Sequence, residues 1–117
     1  MKKLLPLLLV LIMVFTLIGC STTKATFTVI ATDLTGNETT FTIKTDAQTV
    51  GEALINEGLI KGHTTDYGLY IDEVNGIALD WDKDGKYWAF YIDGEYAQTG
   101  VDSTAVKDGA IYTFKPE

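Results

Sequence analysis

Hydrophobic and polar positions follow three different rhythms along this chain. From Lys24 to Thr32, "KATFTVIAT", Phe27 and Val29 alternate with threonines, with Ile30 on the opposite side. "TFTIKT" repeats the pattern with Phe41 and Ile43. A period of two marks half-buried strands, and the Gly-Asn turn between them predicts a hairpin. Val50, Ala53 and Leu54 then share one helical face. Thr49 followed by Glu52 fits a capping box, and Gly58 is a good stop, so one helix is predicted over about Val50–Glu57. "LIKGHTTDYG" reads as a loop. "LYIDEV" and "IALDW" flank Asn75-Gly76, a strong two-residue hairpin signal, and Asp93-Gly94 is a second. "VDSTAVKDG" reads as irregular, and "AIYTFK" as a last strand.

This order predicts an α+β domain with a β-grasp-like (ubiquitin-like) mixed sheet and one packed helix, β-β-α-β-β-β. Tyr87 to Ile92 is the exception to the alternation. Trp88, Phe90 and Ile92 point one way, and Tyr87, Ala89 and Tyr91 the other. One helix covers one sheet face, so the pattern predicts either an aromatic strip open to solvent or a loop lid over it. An open strip on a small domain implies a ligand or partner. The facing of Tyr70, Tyr96 and Tyr112 stays open at this point.

The first twenty residues are set apart from this pattern. Lys2 and Lys3 precede an almost wholly apolar run of about 15 residues, shorter than the roughly 20 that a membrane span needs. Residues 1–19 therefore read as a signal peptide, and Leu17-Ile18-Gly19-Cys20 resembles the lipobox of bacterial lipoproteins. Cys20 would carry the lipid, residues 20–24 would form a short tether, and residues 25–117 the domain. The expected place is the extracytoplasmic face of a bacterial membrane. Cys20 is the single cysteine, so the chain has no internal disulfide. Beyond the leader, seven lysines against sixteen acids leave a net charge near −9. Such a charge repels phosphate backbones and speaks against a nucleic-acid partner.

Three segments carry a family resemblance: "TVGEALINEGLI", "YGLYIDEVNG" and "KYWAFYIDGEYAQTGVDSTAVKDGAIYTF". Val50, Glu52-Ala53-Leu54, Tyr67-Gly68, Tyr87-Trp88, Gly94, Gly100 and Asp108-Gly109 are its best signatures. In order and spacing they resemble the transcobalamin-like C-terminal domain of bacterial surface proteins, over about Lys24 to Lys115. The resemblance implies a corrinoid as ligand and a contact region around Trp88 and Gly100; within it Tyr87, Trp88, Tyr91 and Tyr96 are the expected stacking contributors, with Gly100 allowing close approach. A binding module of this kind would hand its ligand to an uptake transporter; a surface protein is the partner expected if the domain is instead a protein-interaction module. Two departures stand out. The helical domain that completes the pocket in the animal carriers has no counterpart here, and Ala110 replaces the acid that often follows Asp108-Gly109.

Other chemistry is sparse. Asp80, Asp82 and Asp84 before Gly85 match the first half of a calcium loop, but Tyr91 stands where a bidentate glutamate belongs. A hairpin turn is the plainer reading, with weak calcium binding as the alternative. His63 is the single histidine and has no second ligand beside it in sequence. No nucleophile elbow or phosphate loop is visible, so a binding module is expected rather than an enzyme. The alternative is a protein-interaction module acting through the aromatic face or an open sheet edge.

Overall fold

The computed structural model describes residues 24–117. The leader, Cys20 and most of the tether lie outside the described residues. The elements run β1 (Ala25–Thr32), β2 (Glu38–Thr45), α1 (Val50–Asn56), β3 (Ile60–Thr65), β4 (Gly68–Val74), β5 (Ile77–Ala78), α2 (Trp81–Asp84), β6 (Trp88–Ile92), β7 (Glu95–Tyr96) and β8 (Ile111–Pro116). A 3₁₀ turn, Val101–Ser103, precedes β8. The class is α+β, with strands dominant and two sheets in place of one.

The larger sheet has the order β2-β1-β8-β6-β7. β1 and β2 pair antiparallel as the alternation predicts, with Phe27 opposite Ile43. β8 lies parallel to β1 and antiparallel to β6. The registers Val29–Tyr112 and Phe90–Phe114 put Phe27, Val29, Ile43, Trp88, Phe90, Tyr112 and Phe114 on one face. All seven are buried. Tyr112, whose facing the sequence left open, is core: burial pushes its phenol pKa up, and its ring meets Phe27 edge-on at 5.1 Å.

Two elements cover that face. α1 contributes Val50, Ala53 and Leu54. Its N-cap is Thr49, whose Oγ1 accepts from the Glu52 amide at 3.2 Å, and Gly58 at φ +71 follows its end. The other cover is a three-stranded sheet, β3-β4-β5, which brings Ile60, Ile71 and Val74 into the same core. This second sheet corrects the sequence reading. Residues 60–65 form a strand rather than a loop, paired antiparallel with β4. β4 and β5 do meet at the expected Asn75-Gly76 turn, where both residues have positive φ.

Gly51 sits inside α1, where glycine costs about 1 kcal/mol relative to alanine. A Cβ there would stand 3.2 Å from the Asp102 amide nitrogen and the Val101 carbonyl carbon. The helix needs a bare backbone at this point so that the 3₁₀ turn can lie against it. Val50 N–H also donates to the Thr104 carbonyl at 2.9 Å. The segment after β7 is thereby pinned to the helix, and it frames the site described next.

Candidate functional site

β7 stops after two residues, so most of β6 beside it lacks a strand partner on that edge. One further amide bond continues the pairing, Ala97 N–H to the Phe90 carbonyl at 3.0 Å. The chain then swings away through Gln98–Gly100. A cavity of about 430 Å³ opens between this segment, the edge of β6 and strand β4. Its walls include Tyr87, Trp88, Tyr96 and Gly100, together with Tyr70 and Leu69. Four of the five residues expected to contact a ligand thus line one space.

Each wall residue is held differently. Trp88 is 5% exposed, and its indole N–H donates to the Ile77 carbonyl at 3.2 Å, tying the two sheets together. The sequence reading set Trp88 on one side with Phe90 and Ile92 without saying which side is core; the structure makes that side the core, so Trp88 lines the cavity from a largely buried position. Tyr96 is 52% exposed. Its hydroxyl lies 3.1 Å from that of Tyr87, so the two phenols form one rim. Gly100 is followed by Val101, whose buried side chain closes the back. Tyr70 and Leu69 were not assigned to a site in the sequence, because they reach the cavity only where β4, in one sheet, meets β6, in the other, much later in the chain.

Tyr91 does not line this cavity. It lies on the outer face of the large sheet, where its hydroxyl donates to the Glu117 carboxylate. Lys115 Nζ sits 4.8 Å from its ring centroid, and Tyr96 meets the ring edge-on at 5.6 Å. The bond to Glu117 raises the Tyr91 phenol pKa. Tyr87 is pushed up further, to about 12, first by its hydrogen bond with Tyr96, then by burial and nearby Tyr96, Glu117 and Tyr91.

This has a testable consequence. A phenol whose folded pKa exceeds its unfolded value near 10 keeps its proton better in the folded state. Its stabilisation is complete below about pH 10 and is lost as pH rises through about 12. Alkaline absorbance titration should show late-ionising tyrosines, Tyr87 among them with a midpoint near 12. Tyr96→Phe should bring that midpoint down toward the ordinary value; an unchanged midpoint would remove the phenol pair from the description.

The three aspartates do not form a hairpin turn. They belong to α2, a single helical turn. Asp80 is its N-cap and accepts from the Asp82 amide at 2.9 Å. Asp84 accepts from the Asp80 amide at 2.8 Å, and Gly85 closes the turn at φ +64. His63 is on β3 rather than in a loop, with Nδ1 2.7 Å from an Asp72 carboxylate oxygen. Among the described residues, no group of three or more His, Cys, Asp or Glu side chains converges as a metal site would require. Nor is any helix among them long and apolar enough to cross a membrane.

Comparison with known proteins gives the frame for these observations. A family profile described as a domain of unknown function, DUF4430, matches residues 47–115. No curated protein matches the chain. A crystal structure of a proposed metal binding protein from Ruminococcus gnavus is similar at 31% identity and TM-score 0.75, covering 80% of this chain and 96% of that one. The crystal structure of haptocorrin in complex with Cbi is similar at TM-score 0.68 but only 14% identity, which makes it a likeness of fold. That likeness covers 81% of this chain and 25% of haptocorrin, so the chain spans about a quarter of that protein's length.

Proposed function

Given that the chain belongs to the DUF4430 family, a domain of unknown function, we propose that it is a ligand-binding module of the transcobalamin-like kind. In this reading it is anchored through Cys20 at the extracytoplasmic face of the membrane. The observation that carries the reading is the convergence of Tyr87, Trp88, Tyr96 and Gly100 on one cavity at the open edge of β6. Rigid aromatic walls with a glycine at the rim suit a flat, largely apolar ligand. A corrinoid is the leading candidate, and the fold likeness to haptocorrin supports it. The parallel return of β8 beside β1, after a hairpin and a helix, fits a β-grasp frame with β3–β5 inserted. The role is binding, with delivery to a transporter, rather than catalysis.

The cavity is small and open on one side, so a second protein would complete the enclosure of a large ligand. Carrying metal binding over from the Ruminococcus gnavus relative finds less support. Asp80 and Asp84 already accept backbone amides, and Asp72 is engaged with His63. A second reading is strand addition by a partner protein. It is favoured by β2, an eight-residue strand at the end of the larger sheet.

The test is titration of the full chain with cobinamide and cobalamin, following emission from Trp81 and Trp88, its two tryptophans. Calcium and heme run beside them. Saturable quenching by the corrinoids is expected, about tenfold weaker in Tyr96→Ala and unchanged in Tyr91→Ala, which lies outside the cavity. Equal quenching by heme would reduce the site to an adhesive aromatic surface. No response at millimolar corrinoid would overturn the stand-alone carrier and favour the β2 edge.

A further inference from the structure

A second groove, of about 920 Å³, lies between α2 and the β3–β4 hairpin. It is separate from the cavity beside β6, though Tyr70 and Tyr87 form a wall common to both. Its construction has two features the fold does not account for. The first is α2 itself. None of its residues is buried, and Trp81 is 58% exposed. The indole stands edge-on to Tyr87 with centroids 6.2 Å apart and planes at 65°. A tryptophan that the core does not use is thus held as one side of an aromatic corner. Tyr70, on β4, comes from a different sheet and completes the walls.

The second feature is charge. The lining carries Asp72, Asp80, Asp82 and Asp84 against Lys83 and His63. Among the described residues the Asp82 carboxylate accepts no hydrogen bond, and Asp80 and Asp84 each use an oxygen on a neighbouring amide. These carboxylates line the aromatic walls without converging on a point. A calcium ion needs six to eight oxygens within about 2.6 Å of one centre. A bulky organic cation needs the reverse: ring faces for its alkylated charge and carboxylates at a looser distance. The groove's volume is also of small-molecule size rather than ion size.

We propose that the groove between α2 and the β3–β4 hairpin binds a small alkylammonium cation against Trp81, Tyr87 and Tyr70, with Asp82 as its counter-charge. The acidic surface of the domain adds a long-range pull on the same ligand class.

The probe is choline, titrated into the full chain in neutral detergent at constant ionic strength. The comparison is 3,3-dimethyl-1-butanol, its uncharged analogue of the same shape. Two readouts are followed: tryptophan emission, and saturation transfer to the choline methyl protons, which needs no tryptophan. Saturable binding of choline and not of the alcohol is expected. Trp81→Ala should abolish it by saturation transfer while leaving the melting curve nearly in place, since no residue of α2 belongs to the core. Asp82→Asn should weaken it about fivefold. Equal binding of the alcohol would overturn the proposal, as would choline binding that survives Trp81→Ala, or displacement of choline by low calcium. The corrinoid response should persist in Trp81→Ala, so failure at this groove and failure at the cavity beside β6 are told apart.

Discussion

Phe114→Ala should lower the stability of the domain by about 3–5 kcal/mol. Phe114 is 0% exposed and sits on β8, between β1 and β6 in the larger sheet. Its ring stacks on Phe90 at 5.2 Å, and Phe90 stacks on Tyr112 at 5.9 Å. Tyr112 in turn meets Phe27. The rings form one chain across three strands, so truncation leaves a cavity that neighbours on a five-stranded sheet cannot close by moving. A domain of this size has about 5–14 kcal/mol of stability in all. The loss should therefore appear as a fall in melting temperature of roughly 15–30 °C. Urea unfolding should show a lower midpoint with an unchanged slope. Thr42→Ala, on the exposed side of β2, should stay within about 0.5 kcal/mol. A Phe114→Ala loss as small as that of Thr42→Ala would mean that the face assignment is wrong.

The contrast between those two residues also shows what the sequence discloses. Strict alternation in β1 and β2, and the opposed sets in β6, assign sides correctly, because a period of two leaves little choice. The two turns with positive φ at Asn75 and Asp93 are equally local signals. So is the Thr49 cap. What fails are the elements whose own residues carry no clear hydrophobic period. β3 reads as loop because "IKGHTT" has one apolar residue and a glycine, and its pairing with β4 shifts register between Lys61 and Gly62. α2 reads as a turn because only the mutual capping of Asp80 and Asp84 makes it helical.

The site follows the same division. Tyr87, Trp88, Tyr96 and Gly100 are legible as a cluster through the resemblance and their closeness in sequence. Tyr87 and Trp88 are chain neighbours of opposite facing, Tyr96 is on β7, and Gly100 lies beyond it. They meet only because β7 ends early and the cavity wraps around the sheet edge. Tyr91 sits where β6 still pairs with β7, opposite Tyr96, and turns to Glu117 on the outer face. Tyr70 becomes a wall residue solely through the three-stranded sheet.

That dependence makes Gly62 the position where a small change should have the widest effect. Gly62 lies at the register shift in β3, opposite Ile71, with His63 opposite Tyr70. A Cβ at Gly62 would collide with the Tyr70 carbonyl oxygen, which is backbone and cannot rotate aside. Gly62→Ala must therefore part the β3–β4 hairpin or shift its register. Loss of stability should be about 2 kcal/mol or more, the range of strained backbone substitutions. Since Tyr70 is in the wall common to both cavities, ligand responses at both should fall together in this variant. Thr64→Ala, exposed on the same strand, should leave both intact. Urea unfolding and the two titrations on one preparation decide the matter. A Gly62→Ala protein with wild-type midpoint and wild-type responses would show that β3 does not hold Tyr70 in place, and that the three-stranded sheet does not build the site.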